Sequence, residues 1–132
     1  NLFYILAVNN AGVGYFGPLE VQSMDSVRSI FETNFFGVLR LTRAALPCMK
    51  SNKEGHIICV SSMGGINGVP FNGVYCASKF AVEGLCESLA PLLKTFNVSR
   101  QVSVHLKKLC LVNNSSTKWK WLVVAIFIAA NK

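Results

Sequence analysis

The chain has 132 residues, 52% apolar and only 14% charged, enough for one modest domain with a real core and too apolar to stay disordered. Its formal charge of +7 is unevenly spread: residues 1–87 hold six basic and six acidic side chains, and the whole excess lies in the acid-free stretch 88–132. No recognition motif accompanies that charge, so no nucleic-acid partner is expected.

In chain order, residues 2–8 form a short apolar run stopped by Asn9-Asn10-Ala11-Gly12, which reads as a buried parallel strand turning into a loop. The loop continues through Gly14, Gly17 and Pro18. Ser23 or Asp25 caps a helix predicted over 24–46, along which Val27, Ile30, Phe31, Phe35, Val38, Leu41, Thr42 and Ala45 recur at helical spacing. Pro47, Ser51 and Asn52 are expected to end it. Gly55 opens a second strand over 56–60, closed by Ser61-Ser62, and a glycine-containing loop over 63–73 follows. Phe71 or Asn72 then leads into a helix predicted to reach about residue 96. Its apolar stripe is read as Ala77, Ala81, Leu85 and Leu89, with Glu83 and Glu87 facing solvent, and Pro91 predicts a kink or an early end. Residues 102–106 make a candidate third strand. The apolar run 119–130 is about a dozen residues long, short of the roughly 20 that span a bilayer. Strand, helix, strand, helix, strand implies right-handed crossovers and a parallel sheet, the α/β class.

The cysteines at 48, 59, 76, 86 and 110 form no paired C-x-x-C or His-containing set, so no metal site is expected. They read as buried thiols in a reducing, cytoplasmic compartment.

Four features bear on chemistry. Tyr75-x-x-x-Lys79 stacks a phenol and an ammonium one helical turn apart, and a cation near a phenol favours the phenolate. An isolated pair of this spacing is more often a plain surface Tyr and Lys. Ser62 ends a strand thirteen residues earlier, where ligands of parallel sheets sit, and its hydroxyl can polarise a carbonyl. Asn10, Ala11 and Gly12 follow the other strand onto the same edge, where small residues admit a flat ligand. Asn34 is a polar residue of poor helix propensity amid apolar neighbours; it is either a site residue or a satisfied core amide.

Together, Asn9-Asn10-Ala11-Gly12, Asn34, Ser62 and Tyr75-x-x-x-Lys79 resemble, in order and spacing, the short-chain dehydrogenase/reductase family. The segments TNFFGVLR at 33–40 and VYCASKFAVEGLCESLA at 74–90 are similar to the branch holding estradiol 17-beta-dehydrogenases and photoreceptor-type retinol dehydrogenases. The resemblance implies a partial Rossmann-like, doubly wound α/β fold with a parallel sheet. It implies hydride transfer between NADP(H), or alternatively NAD(H), and a steroid or retinoid alcohol or carbonyl. In this reading Tyr75 is the general acid and base, and Lys79 lowers its pKa and bonds the nicotinamide ribose. Ser62 orients the substrate oxygen, Asn34 holds a relay water, and Asn10, Ala11 and Gly12 border the adenosine side of the cofactor. A homodimer is implied for the complete protein.

The family's first βαβ unit, with its T-G-x-x-x-G-x-G turn, does not occur in these residues, and the start at Asn1 suggests further sequence upstream. The reading therefore divides the chain into a central cofactor-domain portion, 1–98, and a divergent basic and apolar tail, 99–132. The chain by itself is expected to be inactive. A non-catalytic fragment or pseudoenzyme is the runner-up, and peripheral membrane contact through Trp119, Lys120 and Trp121 a third reading.

Overall fold

The computed structural model of the chain describes residues 3–103, 118–121 and 130–131. A three-stranded sheet runs in the order β2 (Leu6–Asn9), β4 (Gly55–Val60), β5 (Val98–Ser103), all parallel. Leu6 lies opposite His56, and Gly55 opposite Val98. Two-residue β1 (Phe3–Tyr4) pairs antiparallel with β7 (Ala130–Asn131), and β3 (Gly12–Tyr15) pairs antiparallel with β6 (Lys118–Trp121). The fold is thus α/β around a parallel sheet, as the sequence pattern predicts.

Successive parallel strands laid down in one direction put their crossover helices on one face of the sheet. That face of β4 presents Gly55, Ile57 and Cys59, all buried. Against it pack α2 (Gly37–Asn52) and α3 (Gly73–Lys94), through a core of Ala7, Val38, Ala45, Met49, Val82, Cys86, Leu93 and Val98, while α1 (Met24–Phe31) packs on α3 and β3.

Ser23 caps α1, its hydroxyl accepting from the Ser26 N–H at 3.2 Å. Asp25, the other candidate, sits in the first turn and pairs with Arg28 at the surface. Between α1 and α2 the chain widens into a π-helical segment, Glu32–Phe36, bridged by an Arg40–Glu32 ion pair of 2.7 Å.

Several expectations need correcting. Neither proline ends its helix: Pro47 and Pro91 lie inside α2 and α3, both exposed, so water can solvate the carbonyl each leaves without a donor. α2 instead stops where Lys53 adopts the left-handed conformation at φ 51°. The third strand, β5, opens at Val98 rather than 102, with Val98 buried in the core and paired with Gly55. The buried line of α3 is Lys79, Val82, Cys86 and Leu93, offset from the predicted alanine stripe, and Ala77 is exposed. Glu83 is consequently half-buried rather than solvated, and Cys48 is exposed although the other described thiols are buried. Expectations for residues 104–117 and 122–129, Cys110 and most of the 119–130 run included, lie outside the described residues.

Candidate active site

Because β2 and β4 are parallel, Asn9 and Val60 end on the same edge of the sheet. Asn10, exposed, and Ala11, half-buried, lead from that edge into Gly12, which opens β3. Beyond β4, Ser62 caps a single 3-10 turn, its Oγ accepting from the Gly64 N–H at 3.1 Å. α3 begins after Asn72, so Tyr75 and Lys79 fall in its first two turns, facing the same edge.

Tyr75 is packed closely. A Cβ on Gly14 would come within 3.1 Å of its ring, and one on Gly64 within 3.4 Å. The ring thus leaves little room for a side chain at Gly14, while at Gly64 the tighter neighbour is the Cys76 Sγ at 3.0 Å. Burial pushes the Tyr75 phenol above its ordinary value, and the neighbouring Ser62 hydroxyl pulls it partway back. The expectation that Lys79 lowers it is not met in this arrangement. The Lys79 Nζ lies 5.9 Å from the centre of the Tyr75 ring and donates instead to the Val60 carbonyl at 3.0 Å. Burial, at 4% exposure, depresses Lys79 itself to about 8, opposed by the charges of Cys59 and Glu83.

Asn34 is wholly buried, inside the π-helical segment. Its amide accepts from the Val13 N–H at 2.8 Å and donates to the Val13 carbonyl and the Ser78 Oγ, each at 2.9 Å. Ser78 passes the chain on, donating to the Tyr75 carbonyl at 2.7 Å. The side chain therefore pins β3 to α3 and has no donor left for a water. Of the two readings left open for Asn34, the satisfied amide describes its side chain.

Beneath Lys79, Cys59 is held below its ordinary value by the Cys86 thiol, the Asn9 amide (3.5 Å from its Sγ), Arg100 and Lys79, against the opposing effect of burial. The Cys86 thiol is pushed up, chiefly by that same contact with Cys59. Arg100, from β5, donates to the Cys86 carbonyl.

The structure brings Ser62, Tyr75 and Lys79 to one edge, with Asn34 behind them and Asn10 to Gly12 alongside. Sequence reasoning missed Ser78, the Val60 carbonyl, Gly14 and Gly64. A serine one residue before Lys79 was the available signal for the first, since i and i+3 share a helix face.

Residues 4–117 match the family model described as short chain dehydrogenase, so the match runs past residue 98. The chain is 57% identical over 91 residues to retinol dehydrogenase 8 of Bos taurus, covering 69% of this chain and 29% of that protein. It is 53% identical over 91 residues to 17-beta-hydroxysteroid dehydrogenase type 1 of Homo sapiens, covering 69% and 28% respectively. It thus spans less than a third of the length of these two relatives. Among solved structures, a metagenomic short-chain oxidoreductase in complex with NADP superposes with a TM-score of 0.70 and 38% identity, over 74% of this chain and 44% of that one. With the family pattern matched along most of its length and its fold shared with a solved member, this chain belongs to the short chain dehydrogenase family.

Proposed function

We propose that this segment carries the proton-transfer centre of an oxidoreductase that interconverts a lipophilic alcohol and its carbonyl with a nicotinamide cofactor, NADP(H). The observation that carries the reading is the juxtaposition of the Tyr75 phenol and the Ser62 hydroxyl at the carboxyl edge of β4, with Lys79 one turn along α3. Tyr75 gives a proton to the carbonyl oxygen during reduction and takes it back during oxidation, at its own Oη. Ser62 donates to the same oxygen and fixes its position. A phenol raised by burial stays protonated at neutral pH, so Tyr75 holds the proton that reduction consumes, and oxidation needs the phenol lowered first.

The residues present suit the nicotinamide end of the cofactor. Lys79 spends one hydrogen bond on Val60 and keeps further N–H groups for a ribose hydroxyl. Exposed Asn10 and half-buried Ala11 stand at the same edge and lead into Gly12, where small residues let the backbone approach a flat group. When bound, the nicotinamide supplies or accepts the hydride. Lys79 is placed to bring an ammonium toward Tyr75 if it exchanges the Val60 carbonyl for the ribose, and that move would lower the phenol.

A steroid or retinoid substrate suits the surroundings. Next to the site, a cleft of about 460 Å³ is lined by Leu19, Val69, Pro70 and Phe71, and the rings of Phe16 and Phe71 lie 6.0 Å apart. Met63 and Ile66 are also exposed beside Ser62. The same two named relatives, a retinol and a hydroxysteroid dehydrogenase, support that class. No helix of the described residues is long and apolar enough to cross a membrane.

In a protein containing this segment, Tyr75→Phe is expected to cut turnover by at least about a hundred-fold while leaving cofactor affinity nearly unchanged. A variant that keeps more than about a tenth of the activity removes Tyr75 from the proton transfer. Residues 1–132 alone are expected to bind NADPH weakly, since pyrophosphate binding draws on a glycine-rich turn at a helix N-terminus. Submicromolar binding by calorimetry would reverse that expectation.

A further inference from the structure

Among the described residues, two buried polar atoms on side chains that border Gly65 have no hydrogen-bond partner: Ser61 Oγ and Glu83 Oε1. A Cβ built on Gly65 would stand 2.6 Å from Ser61 Oγ, 3.3 Å from Glu83 Cγ and 3.3 Å from Lys79 Cβ. Glycine at 65 therefore makes room for a three-residue polar cluster behind the catalytic edge. Glu83 follows Lys79 by four residues, so α3 stacks the carboxylate one turn beyond the ammonium.

Burying an ammonium is costly unless an opposite charge accompanies it. Among the described residues Lys79 has no ion pair, and its hydrogen bond goes to a neutral carbonyl. The groups that face it are Tyr75 and Glu83 from α3 and Cys59 from β4, with Arg100 of β5 reaching Cys59 from the far side. Tyr75 is neutral at physiological pH, and Cys59 helps only as a thiolate. Glu83 is the carboxylate that remains, half-buried on the helix face that meets Gly65.

We propose that Glu83 is a positioning residue for Lys79, its carboxylate, seated against Gly65 with the Ser61 hydroxyl, supplying the countercharge of the buried ammonium. It touches neither substrate nor cofactor and acts only through the lysine. The inference rests on Lys79 serving the proton-transfer centre proposed above, but its test does not pass through turnover. The direction agrees with the electrostatics: Glu83 opposes the downward pull of burial on Lys79.

The test uses the whole chain without cofactor. Acetic anhydride labelling of Lys79, followed by mass spectrometry from pH 6 to 11 with exposed Lys94 as internal standard, gives the midpoint at which Lys79 becomes reactive. Glu83→Gln is expected to move that midpoint down by about half a unit to one unit and leave Lys94 in place. Glu83→Asp, which keeps the charge, is expected to restore most of it. An unchanged Lys79 midpoint in a folded Glu83→Gln chain overturns the proposal. A thermal double-mutant cycle with Lys79→Met decides the case if Glu83→Gln folds poorly. The glutamine should lower the unfolding midpoint when Lys79 is present and leave or raise it when Lys79 is methionine. Equal loss in both backgrounds, complete unfolding of both included, makes Glu83 a packing residue and sinks the idea. Failure of the dehydrogenase reading would appear instead in Tyr75→Phe turnover and would leave these midpoints untouched.

Discussion

Helix α3 holds two kinds of interior in one element. Its first two turns bury Ser78 and Lys79, each fixed by named partners: Asn34 and the Tyr75 carbonyl for the serine, the Val60 carbonyl for the lysine. Its later turns bury Val82, Cys86 and Leu93 against Ile57, Cys59 and Val98. The first half is held by direction, since a hydrogen bond is lost when its partner moves. The second is held by area, which tolerates small shifts. A reactive edge needs the former and a foldable chain needs the latter, and α3 supplies both by changing what it buries along its length.

The comparison is open to attack from its apolar side first. Leu93→Ala removes a side chain only 1% exposed and should cost about 2–5 kcal/mol in urea unfolding, with Lys79 labelling unchanged below the transition. If Lys79 reactivity moves as well, the two halves are not separate. Asn34→Ala comes next, at about 3 kcal/mol, because it orphans the Val13 N–H and carbonyl and the Ser78 hydroxyl in one step. Hydrogen exchange at Val13 should rise with it. Faster exchange spread evenly over α3 would mean that Asn34 supports the helix generally rather than its reactive half.

The third concerns pH. Lys79 titrates at about 8 in the folded chain and at 10.5 ordinarily, so between those values the unfolded chain binds more protons and stability rises with pH. Tyr75, raised above 10, opposes this from about pH 10, and inside the window the lowered Cys59 adds to the rise below the ordinary thiol value while the raised Cys86 opposes it above. The Lys79 share from pH 8 to 10 is about 2 kcal/mol, and it is read as the difference in slope between wild type and Lys79→Met. A slope that survives the methionine belongs to another group. The smallest effect is Pro91→Ala, which restores a helix donor at an exposed position and should stabilise by about 1 kcal/mol or less, the alanine's looser unfolded state offsetting part of the gain. Destabilisation there would show that the proline ring packs against something.

These contrasts also separate what the sequence disclosed from what it hid. Tyr75 and Lys79 could be placed because a four-residue spacing has one geometric meaning on a helix. Ser62 could be placed because strand ends in parallel sheets share an edge. Both prolines misled, since the cost of proline inside a helix depends on whether the freed carbonyl meets water, and that is set by which face is exposed. The stripe of α3 was displaced for a related reason: alanine suits core and surface alike, so Ala77 and Ala81 carried no directional information, whereas Val82 and Leu93 did. Nor could the sequence show that the Lys79 ammonium would spend its hydrogen bond on the Val60 carbonyl rather than turn toward the phenol. Backbone acceptors carry no residue letter.

The π-helical segment Glu32–Phe36 also constrains how the gene can change length. An α-helix advances about 100° per residue, so removing one codon from its middle swings everything downstream to a new face. A π turn is in effect one residue inserted into an α-helix. Losing one codon from 32–36 would leave Ile30 and Val38 facing the same core while erasing the outward step that carries Asn34 to Val13 and Ser78. The same deletion a turn later would rotate Thr42, Ala45 and Met49 out of the interior. Shortening within 32–36 therefore keeps the helix register and puts its cost on the Asn34 contacts, whereas shortening beyond it puts the cost on the core itself.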